Sequence, residues 1–142
     1  MIYLDTNIIV YAIENHPHYG KPCTAILEAI EAKRVEVCAS VLVLVELVNV
    51  LVKINRLLNK AKKSLVKIAD SVDAVLSLPI VWLDLEPVVI RHAAQYTFNT
   101  VGIDYFHVAS MELHSVSEIL SADEELDQIP FLRRLDPLRY QP

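Results

Sequence analysis

Apolar positions along the chain fall into short runs separated by stretches of helical period. Ile2 to Leu4 reads as a short buried strand, and Asn7 to Ile13 as the helix that follows. Asn15-His16-Pro17-His18-Tyr19-Gly20 carries Pro and Gly breakers and predicts a loop. Pro22 suits a first helical turn, and Ala25, Ile26, Ala29 and Ile30 repeat at helical spacing up to Lys33. Val35 to Ala39 is a second strand candidate.

The stretch from Ser40 to Leu58, "SVLVLVELVNVLVKINRLL", is rich in β-branched residues, so propensity alone would allow a strand. Its polar positions decide otherwise. Glu46, Asn49, Lys53, Arg56 and Lys60 recur at alternating spacings of three and four, which makes one stripe on a helix. A second helix is expected from Lys60 to Leu78, stopping before Pro79. Ile80 to Leu83 reads as a third strand, Pro87 to Tyr96 and Asp104 to His114 as helices, Glu118 to Leu120 as a fourth strand and Leu132 to Leu135 as a fifth. Short apolar strands alternating with amphipathic helices imply an α/β fold around a mostly parallel sheet.

Composition narrows this further. A chain of 142 residues, 54% hydrophobic, is expected to form one domain over residues 1–142 with ample material for a core. Two glycines in the whole chain argue against a hairpin-rich all-β fold. Cys23 and Cys38 match no metal-site spacing and read as buried thiols in a reducing compartment. Only Met1 to Leu4 precede Asp5, and the longest uncharged apolar run, Val37 to Val45, is too short to span a membrane. The expectation is a cytoplasmic protein with no membrane partner.

A net charge of −5 opposes nucleic-acid binding on its face, but the distribution is uneven. Six of the 13 basic residues lie between Lys53 and Lys67, and acids dominate the last third.

Four acids interrupt apolar surroundings. Asp5 ends the first strand, Glu46 sits inside "VLVLVELVNVLV", Asp104 opens a helix in "VGIDYFHVAS", and Asp123 follows the fourth strand. Asp5 and Asp104 would also serve as N-caps, and Ser121-x-x-Glu124 fits a capping box that makes Asp123 a first-turn acid. Glu46 resists so plain a reading, because a carboxylate in that setting needs a cation, a proton or water. In an open parallel sheet, ligand sites gather beyond the carboxyl ends of the strands, where these acids are expected to converge. Four carboxylates there call for divalent cations, and an all-oxygen donor set suits Mg²⁺ or Mn²⁺. Such a centre would lower the pKa of a bound water and stabilise a phosphoryl transition state, which is phosphodiester hydrolysis.

At these residues the chain resembles PIN-domain proteins, specifically the VapC-type toxin ribonucleases of VapBC toxin–antitoxin pairs. The resemblance rests on "YLDTNIIVYA", "ASVLVLVELVNVL", "GIDYFHVASM" and "ILSADEELDQIP" with "LRRLDP", in that order and over nearly the whole length. It implies a PIN-like fold with a five-stranded mostly parallel sheet, and Mg²⁺- or Mn²⁺-dependent endoribonuclease activity. It also implies metal ligation by Asp5, Glu46, Asp104 and Asp123, support from Thr6, Asn7 and Ser121, a cognate antitoxin partner and a homodimer. Glu124, Glu125 and Asp127 compete with Asp123 for the fourth place.

His107, three residues after Asp104, reads as a half-buried histidine with an ordinary hydrogen bond, the other reading being a group that orients a carboxylate or water. His16 and His18 read as loop surface. Lys53, Arg56 and Lys60 continue the Glu46 face and would guide an RNA backbone, although a solvated face is the commoner meaning of such a run. An apolar remainder on the same helix suggests a core position or a dimer interface. Competing readings are an RNA-processing PIN nuclease outside any toxin–antitoxin system, a non-catalytic PIN-fold binding module, and a phospho-acceptor domain. The last wants a late lysine, and none follows Lys67.

Overall fold

A computed structural model of the chain describes residues 1–98 and 105–142. Its elements run β1 (Ile2–Leu4), α1 (Thr6–Ile13), α2 (Gly20–Glu31), β2 (Val37–Ser40), α3 (Leu42–Lys60), α4 (Ile68–Ser77), β3 (Ile80–Leu83), α5 (Pro87–Ala93), α6 (Tyr105–Leu113), β4 (Glu118–Leu120), a 3-10 helix (Glu124–Gln128) and β5 (Arg133–Leu135).

The five strands form one parallel sheet in the order β3-β2-β1-β4-β5. Connections run outward from β1 on one side, then cross to the other side for β4 and β5. That reversal puts the topological switch point at the β1–β4 pair, where Tyr3 faces Ile119 and Leu4 faces Leu120. Parallel strands need helical crossovers, so helices cover both faces and the strands read as near-continuous apolar runs.

Alternation along the strands divides the core. Leu4, Val37, Ala39, Ile80 and Leu120 pack with Ile8, Ile26, Ile30, Val43, Leu47 and Leu51 from α1, α2 and α3. Tyr3, Cys38, Leu83 and Ile119 pack on the other face with Val108 and Met111 of α6. Within α3, Val43, Leu47 and Leu51 recur every four residues and are buried, while Val45, Val48 and Val52 are exposed. The helix therefore carries one buried apolar face and a second, exposed one. Cys23 and Cys38 are buried free thiols, and burial pushes them up to about 12 and about 11.

Two expected helices differ. The helix expected from Lys60 begins at Ile68, and α3 itself runs to Lys60. Lys62 takes a left-handed φ of 55°, and Asn55 on α3 pairs with both backbone groups of Val66, at 2.8 and 2.9 Å. The intervening chain is thus folded back on α3 instead of starting a helix. α5 stops at Ala93 and does not reach Tyr96. The expected start of α6 at Asp104 lies outside the described residues. No helix among the described residues is long and apolar enough to cross a membrane.

Candidate active site

Beyond the carboxyl ends of β1 and β4, a cleft of about 540 Å³ opens between α1 and α3. Asp5, Glu46 and Asp123 all line it, together with Thr6, Asn7, Lys53 and His107. Three of the four acids expected from sequence therefore meet in one place. Asp104 lies outside the described residues.

The start of α1 arranges the inner end. Asp5 is the N-cap residue, with extended backbone angles, but makes no side-chain capping hydrogen bond. Its Oδ2 instead accepts hydrogen bonds from Asn7 Nδ2 at 2.8 Å and Ser121 Oγ at 2.5 Å. Asn7 also donates to Ser121 Oγ at 3.0 Å and accepts from the Ala122 backbone N–H at 3.2 Å. One amide side chain thereby ties the turn after β1 to the turn after β4. Burial pushes the Asp5 carboxyl above its ordinary range and Glu46 adds to that, while His107 and the Ser121 hydroxyl act against it. The residue keeps an opening to the cleft even though its carboxylate is largely enclosed.

Glu46 sits in the second turn of α3. Its Oε2 accepts hydrogen bonds from Thr6 Oγ1 and lies 2.9 Å from His107 Nε2. These two contacts, from α1 and α6, answer the cost of placing a carboxylate within an apolar helix. His107 is nearly buried, deeper than the half-buried position expected from sequence, and its Nδ1 lies 2.6 Å from the Tyr3 hydroxyl.

Asp123 holds a different position from the one the sequence suggested. It is the N-cap of the 3-10 helix and accepts from the Glu125 N–H at 3.0 Å. Ser121, expected to cap, is committed elsewhere: its hydroxyl donates to Asp5 and accepts from the Asp123 N–H at 3.0 Å. Of the competing acids, Asp127 is held by Arg134 through two hydrogen bonds of 2.9 and 3.0 Å. Arg134 also donates to the Ser121 carbonyl at 3.2 Å, which gives this residue a structural place that its sequence context did not suggest.

Lys53 reaches the cleft, two turns along α3 from Glu46. Arg56 and Lys60 are exposed but do not line it.

A PIN domain match spans residues 2–132. The chain belongs to the PIN domain family. Among solved structures, this PIN domain is similar to VapBC2 from Rickettsia felis bound to a DNA fragment from its promoter, at 22% identity and a TM-score of 0.65, covering 95% of this chain and 98% of that one. A toxin–antitoxin complex from Klebsiella pneumoniae matches at 15% identity and 0.61, over 96% and 98% of the two chains. FitAcB from Neisseria gonorrhoeae matches at 20% identity and 0.54, over 99% and 100%. At these identities the likeness shows the fold. Comparison with curated proteins finds no significant match.

The donors in the PIN domain cleft are of the right kind for a hard cation, since Asp5, Glu46 and Asp123 offer carboxylate oxygens and no thiolate competes. Among the described residues, no three His, Cys, Asp or Glu side chains close into a ready metal-binding group. The enclosed Asp5 carboxylate, pushed toward protonation by burial and by Glu46, is a charge that a divalent ion would compensate.

Sequence reasoning missed Tyr3, whose hydroxyl meets a residue 104 positions away. A tyrosine in an otherwise apolar strand was the available signal. It also missed Asn49 and Tyr11, which line the cleft beside Val10 and Val50.

Proposed function

We propose that this PIN domain is a Mg²⁺- or Mn²⁺-dependent endoribonuclease and the toxin of a toxin–antitoxin pair. The observation that carries the reading is the meeting of Asp5, Glu46 and Asp123 on one cleft at the switch point of a PIN fold. Asp5, Glu46 and Asp123 would hold the ion, with Asp104 completing the set. When bound, the ion would supply an activated water and a counter-charge for the phosphoryl transition state. Thr6 and Asn7 would orient Glu46 and Asp5, and Ser121 would hold Asp5 to the β4 side. Lys53 would meet the RNA backbone as it leaves the acidic end, with Arg56 and Lys60 giving longer-range attraction.

Two partner readings accompany this. The toxin–antitoxin complexes among the structural neighbours support an antitoxin that covers the acidic cleft. The exposed Val45, Val48 and Val52 on α3 support a homodimer that buries them, since a solvent-facing valine stripe is apolar surface seeking cover.

Single-turnover cleavage of a labelled RNA, with and without added Mg²⁺ or Mn²⁺, tests the activity. The wild-type chain should cut only with metal, and Glu46→Gln should not cut while keeping its circular dichroism spectrum. Cleavage by Glu46→Gln at the wild-type rate would remove the assignment.

A further inference from the structure

We propose that Tyr3 and His107 are a buried positioning pair, in which the Tyr3 hydroxyl selects the His107 tautomer that donates from Nε2 to Glu46. The inference rests on the reading of Glu46 as a metal-holding carboxylate, and it concerns what keeps that carboxylate in place.

Hydrogen-bond valence carries it. Tyr3 is fully buried, and its oxygen accepts the Ser40 backbone N–H at 3.0 Å. The phenol also has a proton of its own to place, and a buried donor left without an acceptor is costly. Among the described residues, the acceptor within reach is His107 Nδ1, at 2.6 Å. A ring whose Nδ1 accepts keeps its hydrogen on Nε2, and Nε2 lies 2.9 Å from Glu46 Oε2. A tyrosine phenol ordinarily keeps its proton at neutral pH, so the donor is present. The direction of the chain is therefore fixed: Ser40 N–H to Tyr3, Tyr3 O–H to His107, His107 N–H to Glu46.

Five elements contribute. Tyr3 lies on β1, Ser40 at the end of β2, His107 on α6 and Glu46 on α3. Thr6 of α1 donates to the same Glu46 oxygen. Glu46 is thus gripped at Oε2 by two donors whose own positions are set by the sheet. The His107 ring stands edge-on to Tyr3, centroids 5.6 Å apart, so packing holds the orientation along with the hydrogen bond. Partners of this kind, behind a metal-holding side chain, commonly govern metal affinity tenfold to a hundredfold. Neither Tyr3 nor His107 need touch substrate or ion for this effect.

Long-range ¹H–¹⁵N NMR of His107 in the metal-free full chain reads the tautomer without reference to any activity. The expected pattern is a protonated Nε2 and an unprotonated, hydrogen-bonded Nδ1, lost in Tyr3→Phe. Mn²⁺ titration should then show Tyr3→Phe binding about tenfold more weakly. In cleavage assays the same variant should lower kcat with KM for RNA little changed. His107→Gln keeps an N–H donor near Glu46, and Tyr3→Phe should add nothing further in that background. A proton on Nδ1 in the wild-type chain overturns the proposal, as does an equal loss of Mn²⁺ affinity from Tyr3→Phe in both backgrounds, or no loss in either. Should the wild-type chain cut no RNA, the functional reading falls while the NMR pattern still judges the tautomer.

Discussion

Asp5 and Asp123 line the same cleft, follow adjacent parallel strands and are both half-buried, yet they are held in opposite ways. Asp5 takes its hydrogen bonds from two side chains, one of them on a residue 116 positions away, and makes no cap bond to its own helix. Asp123 takes one from a backbone N–H two residues on, within its own turn. The first carboxylate is therefore positioned by tertiary structure and the second by local structure. A site built this way has an inner end tied across the fold and an outer end tied within one turn. The inner end carries the electrostatic cost, since burial raises the Asp5 carboxyl above its ordinary range.

The sharpest way to break this contrast is to neutralise each acid in turn. Asp5→Asn is expected to cut metal-dependent RNA cleavage by about a hundredfold or more, because it removes a preorganised charge. Removing a strained carboxylate should leave Tm unchanged or raised. Asp123→Asn keeps both an acceptor for the Glu125 N–H and a side-chain oxygen facing the cleft, so a smaller loss, about tenfold, is expected. Equal losses in single-turnover rate would erase the distinction between the two ends.

Next in size is the support of the inner end. Asn7→Ala removes the amide that joins Asp5, Ser121 and the Ala122 N–H, and should cost about 1–3 kcal/mol in a urea unfolding series. A change within a few tenths would mean that water replaces the amide at no cost. Lys53→Ala probes the outer end: the slope of log Kd for a single-stranded RNA against log salt should fall by about 0.7. Arg56→Ala, outside the cleft, should change it less.

The smallest effect lies behind Asp123. The Arg134 guanidinium holds the Asp127 carboxyl below its ordinary range. A depressed carboxyl contributes stability that is present above its unfolded value and lost as pH falls through the folded one. Asp127 is more than half exposed, so solvent screens the pair and the contribution is at most about 1 kcal/mol. Asp127→Asn should lower stability by that amount at neutral pH, and the difference from wild type should vanish in strong acid.

Much of this was legible in the sequence, for identifiable reasons. β1, β3 and β4 fall on the residues that the apolar runs marked, because parallel strands covered on both faces need continuous apolar side chains. The 3-4-3-4 polar stripe marked α3, and with it the side of the helix that faces the cleft. The hydrogen bonds that join distant positions were not legible. Nothing about Ser121 in "LSADEE" shows that its hydroxyl belongs to Asp5 and not to a helix cap, since both uses need the same residue. His107 had the right spacing to share a face with Asp104, but its link to Tyr3 depends on which face of β1 meets α6. The fold-back at Lys62 was hidden because a lysine-rich segment after a helix continues the helical pattern until a tertiary contact, here Asn55 to Val66, interrupts it.

The switch point between β1 and β4 has a consequence for the order in which the protein is made. β1 is synthesised well before β4, so a growing chain carries Asp5 and Glu46 long before Asp123 and Ser121 exist to meet them. On the proposed reading, the newborn chain has no completed cutting site until the turn after β4 has been made. The parallel pairing that adds β4 to the sheet would then also arm the enzyme.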